Sequence, residues 1–175
     1  MCFTLSCPSL SCQFLKAFAF AAIALALAVT PANGQGQVVG WGSNQFGQST
    51  TPITSVLPFS AVATRSNHSV GLRADGTVAC WGYNDMGQCN VPAGLGVVTQ
   101  VSAGGGHTVA LRQDGSVACW GRNDNGQCTV PSGLGVVTQV SAGGAHTVAL
   151  RQDGSVACWG DNYYGQCTVP SGLGG

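Results

Sequence analysis

The chain contains no glutamate, and its only lysine is Lys16. Only 7% of its 175 residues are charged, which argues against helical bundles, whose outer faces need Glu, Lys and Arg. From residue 33 onward five Arg stand against six Asp, a net charge near −1. That gives no electrostatic footprint for nucleic acid or for an acidic membrane. Also missing are a Gly-Lys-Ser phosphate loop, a His-Glu-x-x-His pair and a calcium-type Asp ladder. No cofactor or metal site is expected. What the chain does have is 27 Gly, 4 Trp and many Val, Thr and Ser, the composition of short strands and tight turns.

The one long apolar run, Ala17 to Val29, is 13 residues. A membrane span needs ~20 apolar residues, so this run is too short to cross comfortably. Lys16 precedes it and Thr30-Pro31-Ala32 follows, which reads as a secretory signal helix cleaved after Ala32. Residues 1–32 are therefore expected to be a signal peptide, and the mature chain to be secreted or extracellular with no stable membrane span. A buried N-terminal helix is the alternative. Cys2, Cys7 and Cys12 leave with the leader; Cys12 lies before the apolar run, where a lipidated cysteine should follow it.

The rest is a repeat. Trp41, Trp81, Trp120 and Trp159 are spaced by 40, 39 and 39 residues, each followed by Gly. A period of this size indicates a repeat architecture. Six cysteines keep step with it, as three Cys-x8-Cys pairs. The first repeat has Gly40 and Ser49 at the equivalent positions, so both cysteines are missing together. That pattern predicts disulfides within each repeat: Cys80–Cys89, Cys119–Cys128 and Cys158–Cys167. Zinc, with His68, His107 or His146 as further ligands, competes less well, because the eight-residue gap exceeds finger spacing.

Upstream of each Trp lies a hairpin. His107-Thr108-Val109-Ala110-Leu111 and Ser116 to Trp120 alternate large and small side chains around Asp114-Gly115, a tight-turn signal repeated at Asp75-Gly76 and Asp153-Gly154. His, Val and Leu should share one strand face, and Thr and Ala the other, where small side chains let another sheet approach. Before the hairpin, Val97 to Ala103 and Val136 to Ala142 read as a further strand ended by glycines. The linking Val-Pro-x-Gly-Leu-Gly fits a loop or an edge. Three or four short strands per 39 residues make an all-β chain of β-propeller blades, with a β-solenoid as runner-up. Residues 33–175 would form a partial propeller with four Trp-Gly hairpins, in repeats near 37–76, 77–115, 116–154 and 155–175.

Gly-Gly-x-His-Thr-Val-Ala-Leu, then Asp-Gly-x-Val, then Trp-Gly-x-Asn-x-x-Gly-Gln resembles the regulator of chromosome condensation repeat. The resemblance runs from about Val38 to the end. It implies the propeller superfamily that includes an exchange factor for a small GTPase, β-lactamase-inhibiting proteins and crinkly-type receptor ectodomains. The short, cysteine-bearing repeats look most like the last group. Two departures stand out. Ser66-Asn67-His68-Ser69 replaces Gly-Gly-x-His-Thr, with one residue inserted before His68. And four Trp hairpins cannot close a seven-bladed ring, which would take roughly 270 residues at this period. The expectation is an incomplete ring, from a truncated product or from self-association through open sheet edges.

Residues that recur in every repeat should be scaffold. His68, His107 and His146 are expected to make a hydrogen bond inside each blade, and Trp41, Trp81, Trp120 and Trp159 to act as packing wedges. What varies lies in the loop after each Trp: Tyr83, Asp85 and Met86; Arg122, Asp124 and Asn125; Asp161, Tyr163 and Tyr164. A rigid frame with changing tips is a way to present a recognition face, and Tyr, Met and Arg are enriched in protein interfaces. The reading is an exported, non-enzymatic module that binds a protein through these loops. Carbohydrate binding and guanine-nucleotide-exchange-type regulation are the alternatives. Asn67-His68-Ser69 matches a glycosylation acceptor, although its equivalents Gly106 and Ala145 suggest a tight position.

Overall fold

A computed structural model describes residues 38–51 and 57–173. The expected signal peptide, 1–32, lies outside them. The described residues form three three-stranded antiparallel sheets and no helix. The first holds β1 (Phe59–Arg65), β2 (His68–Arg73) and β3 (Val78–Gly82). The second holds β4 (Val98–Ala103), β5 (His107–Arg112) and β6 (Val117–Gly121). The third holds β7 (Val137–Ala142), β8 (His146–Arg151) and β9 (Val156–Gly160). Each sheet is a meander in chain order, so each is one blade.

The alternation within β5 decides how blades stack. Val109 and Leu111, with Val117 from β6, pack forward against Val137, Val140 and Ala149 of the third blade. Ala110, Ala118 and Trp120 pack backward against Val70 and Leu72 of the first. Small side chains receive the large ones of the preceding blade, and β5 is buried on both faces from His107 to Leu111. The first strands lie side by side and are clamped together. Gln100 Nε2 donates to the Val140 carbonyl at 3.1 Å, and Val140 N–H donates back to Gln100 Oε1 at 2.9 Å. Ser102 Oγ accepts from Ala142 N–H at 2.9 Å.

The three blades are an incomplete propeller, fanned rather than closed. Residues 38–51, with Trp41, carry no strand but reproduce the turn that follows each later Trp. Trp41 is 44% exposed, whereas Trp120 and Trp159 are 8% exposed as wedges on the backward faces of their blades. The worn first hairpin is not longer at its turn: Thr64 pairs with Ser69 as Ala103 pairs with Thr108. The extra residue lies between Gln48 and Phe59, a stretch one residue longer than Gln88 to Val98.

Candidate recognition face

Each third strand ends at Gly82, Gly121 or Gly160, opposite His68, His107 or His146. These glycines adopt φ of 105°, 102° and 107°, and a Cβ on any of them would lie 2.5–2.7 Å from the carbonyl of Asn67, Gly106 or Ala145. The chain turns sharply there into a corner loop. All the corners therefore sit at one end of the fan, beside the His-bearing hairpin turns. The Asp-Gly turns occupy the other end.

One frame holds every corner. The Oδ1 atoms of Asn84, Asn123 and Asn162 accept from the amides of Cys89, Cys128 and Cys167 at 2.7–2.8 Å. The Oε1 atoms of Gln88, Gln127 and Gln166 accept from the amides of Met86, Asn125 and Tyr164 at 2.8–3.0 Å. Gln48, Gln88 and Gln127 are almost completely buried. The Gln88 and Gln127 carbonyls accept from Thr108 and Thr147 Oγ1 at 2.8 Å, which bolts each corner to the next blade. The Gln48 carbonyl does the same for Ser69 and for Trp81 Nε1, both at 2.9 Å.

Disulfides Cys119–Cys128 and Cys158–Cys167 close two corners. Cys80 and Cys89, expected as a third bond, bring their sulfurs to 2.9 Å at the equivalent place in their corner, near bonding distance. In the earliest corner, Ser49 Oγ instead donates to the Ser43 and Trp41 carbonyls, at 2.9 and 3.3 Å. A Cβ on Gly40 would overlap the Ser49 backbone, so that corner has no room for the cysteine pair.

His68 and His107 work between blades, not inside one. His68 Nε2 lies 3.1 Å from Thr108 Oγ1 and His107 Nε2 lies 3.1 Å from Thr147 Oγ1, each on the following blade. Both threonine hydroxyls already donate to Gln88 and Gln127, so each must accept from the histidine. That assigns the Nε2–H tautomer and leaves Nδ1 bare, buried and unpartnered. Burial, above all, lowers both pKa values to about 4, and around His107 the nearby His68, His146 and Arg65 lower it further. Gly104 and Gly143 leave the space their rings occupy: a Cβ there would overlap the imidazoles of His107 and His146.

Beyond this frame lie the variable tips. Tyr83 is half-buried, and its ring meets Phe46 of the neighbouring corner edge-on at 4.9 Å. Asp85 and Met86 are exposed beside it, and the Asp85 carboxylate raises the Tyr83 pKa by hydrogen bonding and charge. Arg122 Nε bonds Asp124 Oδ2 at 2.8 Å on the next corner, next to exposed Asn125. On the last, Asp161 accepts from the Tyr163 amide at 3.1 Å and from Gln166 Nε2 at 2.8 Å. Tyr163 and Tyr164 are 81% and 86% exposed, ring on ring at 4.7 Å. All nine tip residues thus share one end of the molecule, spread along a row rather than gathered in a pocket. Arg65 was missed by the sequence reading. It occupies the position of Gly104, and its guanidinium reaches over the Gly144 turn. The signal was its departure from the repeat.

Fold and corners together define a blade-repeat propeller with a conserved frame and variable tips from one blade to the next. The regulator of chromosome condensation (RCC1) repeat matches residues 59–88, 98–127 and 137–166, just over half of the chain, and the chain belongs to that family. No curated protein matches it significantly. Among solved structures it is similar to the ectodomain of the Physcomitrella patens receptor kinase CR4, at 25% identity and TM-score 0.66, covering 78% of this chain and 39% of that one. The CRINKLY WD40 ectodomain of the Arabidopsis thaliana receptor kinase ACR4 is 28% identical with TM-score 0.55, covering 71% and 46%. Prp20p of Saccharomyces cerevisiae, at 23% identity, TM-score 0.60 and coverage of 69% and 35%, shares the fold. The chain spans less than half the length of each.

Proposed function

We propose that the chain is an exported, non-enzymatic recognition module that binds a protein through the corner row. The observation that carries this reading is the division of labour within the corner. Asn, Gln and Gly recur with the same bonds, while Tyr83, Arg122, Tyr163 and Tyr164 and their neighbours differ and point outward. Rigid loops lose little entropy on binding, and exposed Tyr and Arg supply contact area. Export is supported by the two disulfides, which persist in oxidising compartments. It is also supported by likeness to two receptor ectodomains. A protein partner is supported by the fold it shares with Prp20p, whose structure was described with its binding to Gsp1p and histones.

The test is a comparison of the chain with its Tyr83→Ala/Arg122→Ala/Tyr163→Ala/Tyr164→Ala variant, captured against an extracellular protein fraction and a glycan array. Proteins retained by the parent and lost by an equally folded variant support the reading. Identical protein profiles for the two contradict it. Glycans retained in place of protein would move the module to the carbohydrate class.

A further inference from the structure

The corner end of the fan holds five charged groups among the described residues: Arg65, Asp85, Arg122, Asp124 and Asp161. Their arrangement is uneven. Arg122 is already neutralised by Asp124 at 2.8 Å. Arg65 is exposed and reaches over the Gly144 hairpin turn, outside the variable tips. The tips themselves therefore hold one cation, Arg122, and it is paired. The tips also hold two carboxylates, Asp85 and Asp161, that make no ion pair among the described residues, and each stands beside exposed or half-exposed aromatic rings. Asp85 adjoins Tyr83, itself packed on Phe46, and Asp161 adjoins Tyr163 and Tyr164. At the other end of the fan Arg and Asp alternate in every turn, as in Arg73-Ala74-Asp75, so no such imbalance arises there.

An aromatic face next to a carboxylate attracts a cation twice over, through the ring quadrupole and through charge. An acidic partner would meet only repulsion at Asp85 and Asp161, and a purely apolar one would have to strip water from both carboxylates. We infer that the corner row takes a cationic segment of a protein partner, with Lys or Arg side chains seated at the Tyr83–Asp85 corner and at the Asp161–Tyr163–Tyr164 corner. The Arg122–Asp124 pair between them contributes no net charge to the row. The inference rests on the proposed protein-binding role and specifies its partner.

The experiment immobilises the chain and presents peptides of equal length and aromatic content that differ only in charge: Lys/Arg-bearing, neutral and Asp/Glu-bearing. Lys/Arg peptides should be retained, and retention should weaken as salt rises. Asp85→Asn and Tyr163→Ala/Tyr164→Ala should each reduce affinity, together by about tenfold or more. Asp124→Asn, which frees Arg122, should reduce it as well. Thr99→Ala, away from the corners, should leave it unchanged, and far-UV circular dichroism of each variant checks that the fold is kept. Capture of neutral or acidic peptides, lost in Tyr163→Ala/Tyr164→Ala, would overturn the cationic assignment while leaving the corner row as the binding face. Retention of no peptide class, or retention indifferent to all the corner variants, would overturn both.

Discussion

The imidazoles of His68 and His107 have no exposed surface, and each gives its one N–H to a hydroxyl on the following blade. A second proton would have to go to a buried Nδ1 that makes no hydrogen bond. Folded pKa values of about 4, against about 6.5 in an unfolded chain, mean that the unfolded state binds more protons between those values. The chain should therefore lose stability as pH falls from about 6.5 to 4, by something on the order of 3 kcal/mol per ring. Urea midpoints measured across that range would show a steady decline, absent in a variant with both histidines replaced by Gln if that variant folds. Gly104 gives a second residue-scale prediction. Gly104→Ala should cost ~1–3 kcal/mol, because its methyl overlaps the His107 ring.

The corner loop is the element on which most of the architecture depends. Its disulfide closes a loop of about ten residues, worth ~2.5–3 kcal/mol in the chain-entropy account. Cys119→Ser with Cys128→Ser should therefore lower the denaturation midpoint, while the Asn123 and Gln127 bonds hold the corner's shape. The corner was legible in the sequence because it is copied: Asn, Gly-Gln and Cys recur at one spacing, and where Cys is lost, both members go. The partners of the copied residues were less legible. Period-two alternation assigns His107 to a strand face but does not say which blade that face meets. The bond to Thr147, placed inside a blade by expectation, runs between blades. Gly104 and Gly143 read as strand terminators, whereas their steric role became visible only with the imidazole in place. The sequence pattern places the extra residue of the first repeat before His68, where Ser66-Asn67-His68-Ser69 replaces Gly-Gly-x-His-Thr. In the structure that turn keeps its length, with Ser66 at φ 54°.

Across the whole molecule, protection should follow the fan. The β5 strand is buried from His107 to Leu111, while β8 is only intermittently buried. Gln100 clamps the third blade, whereas Gln139, its equivalent, is exposed. Amides of β5 should then exchange with solvent more slowly than those of β8, which hydrogen-exchange mass spectrometry would resolve. The central claim is that the corners divide into a frame that carries stability and tips that do not. Its most direct test is the melting temperature of single alanine variants at frame positions Asn84, Gln88, Asn123 and Gln127, beside those at tip positions Met86, Arg122, Asn125, Tyr163 and Tyr164. Every frame variant should melt several degrees below the parent, and every tip variant within about a degree of it. Tips that melt as low as the frame, or frame variants that melt like the parent, would contradict the account.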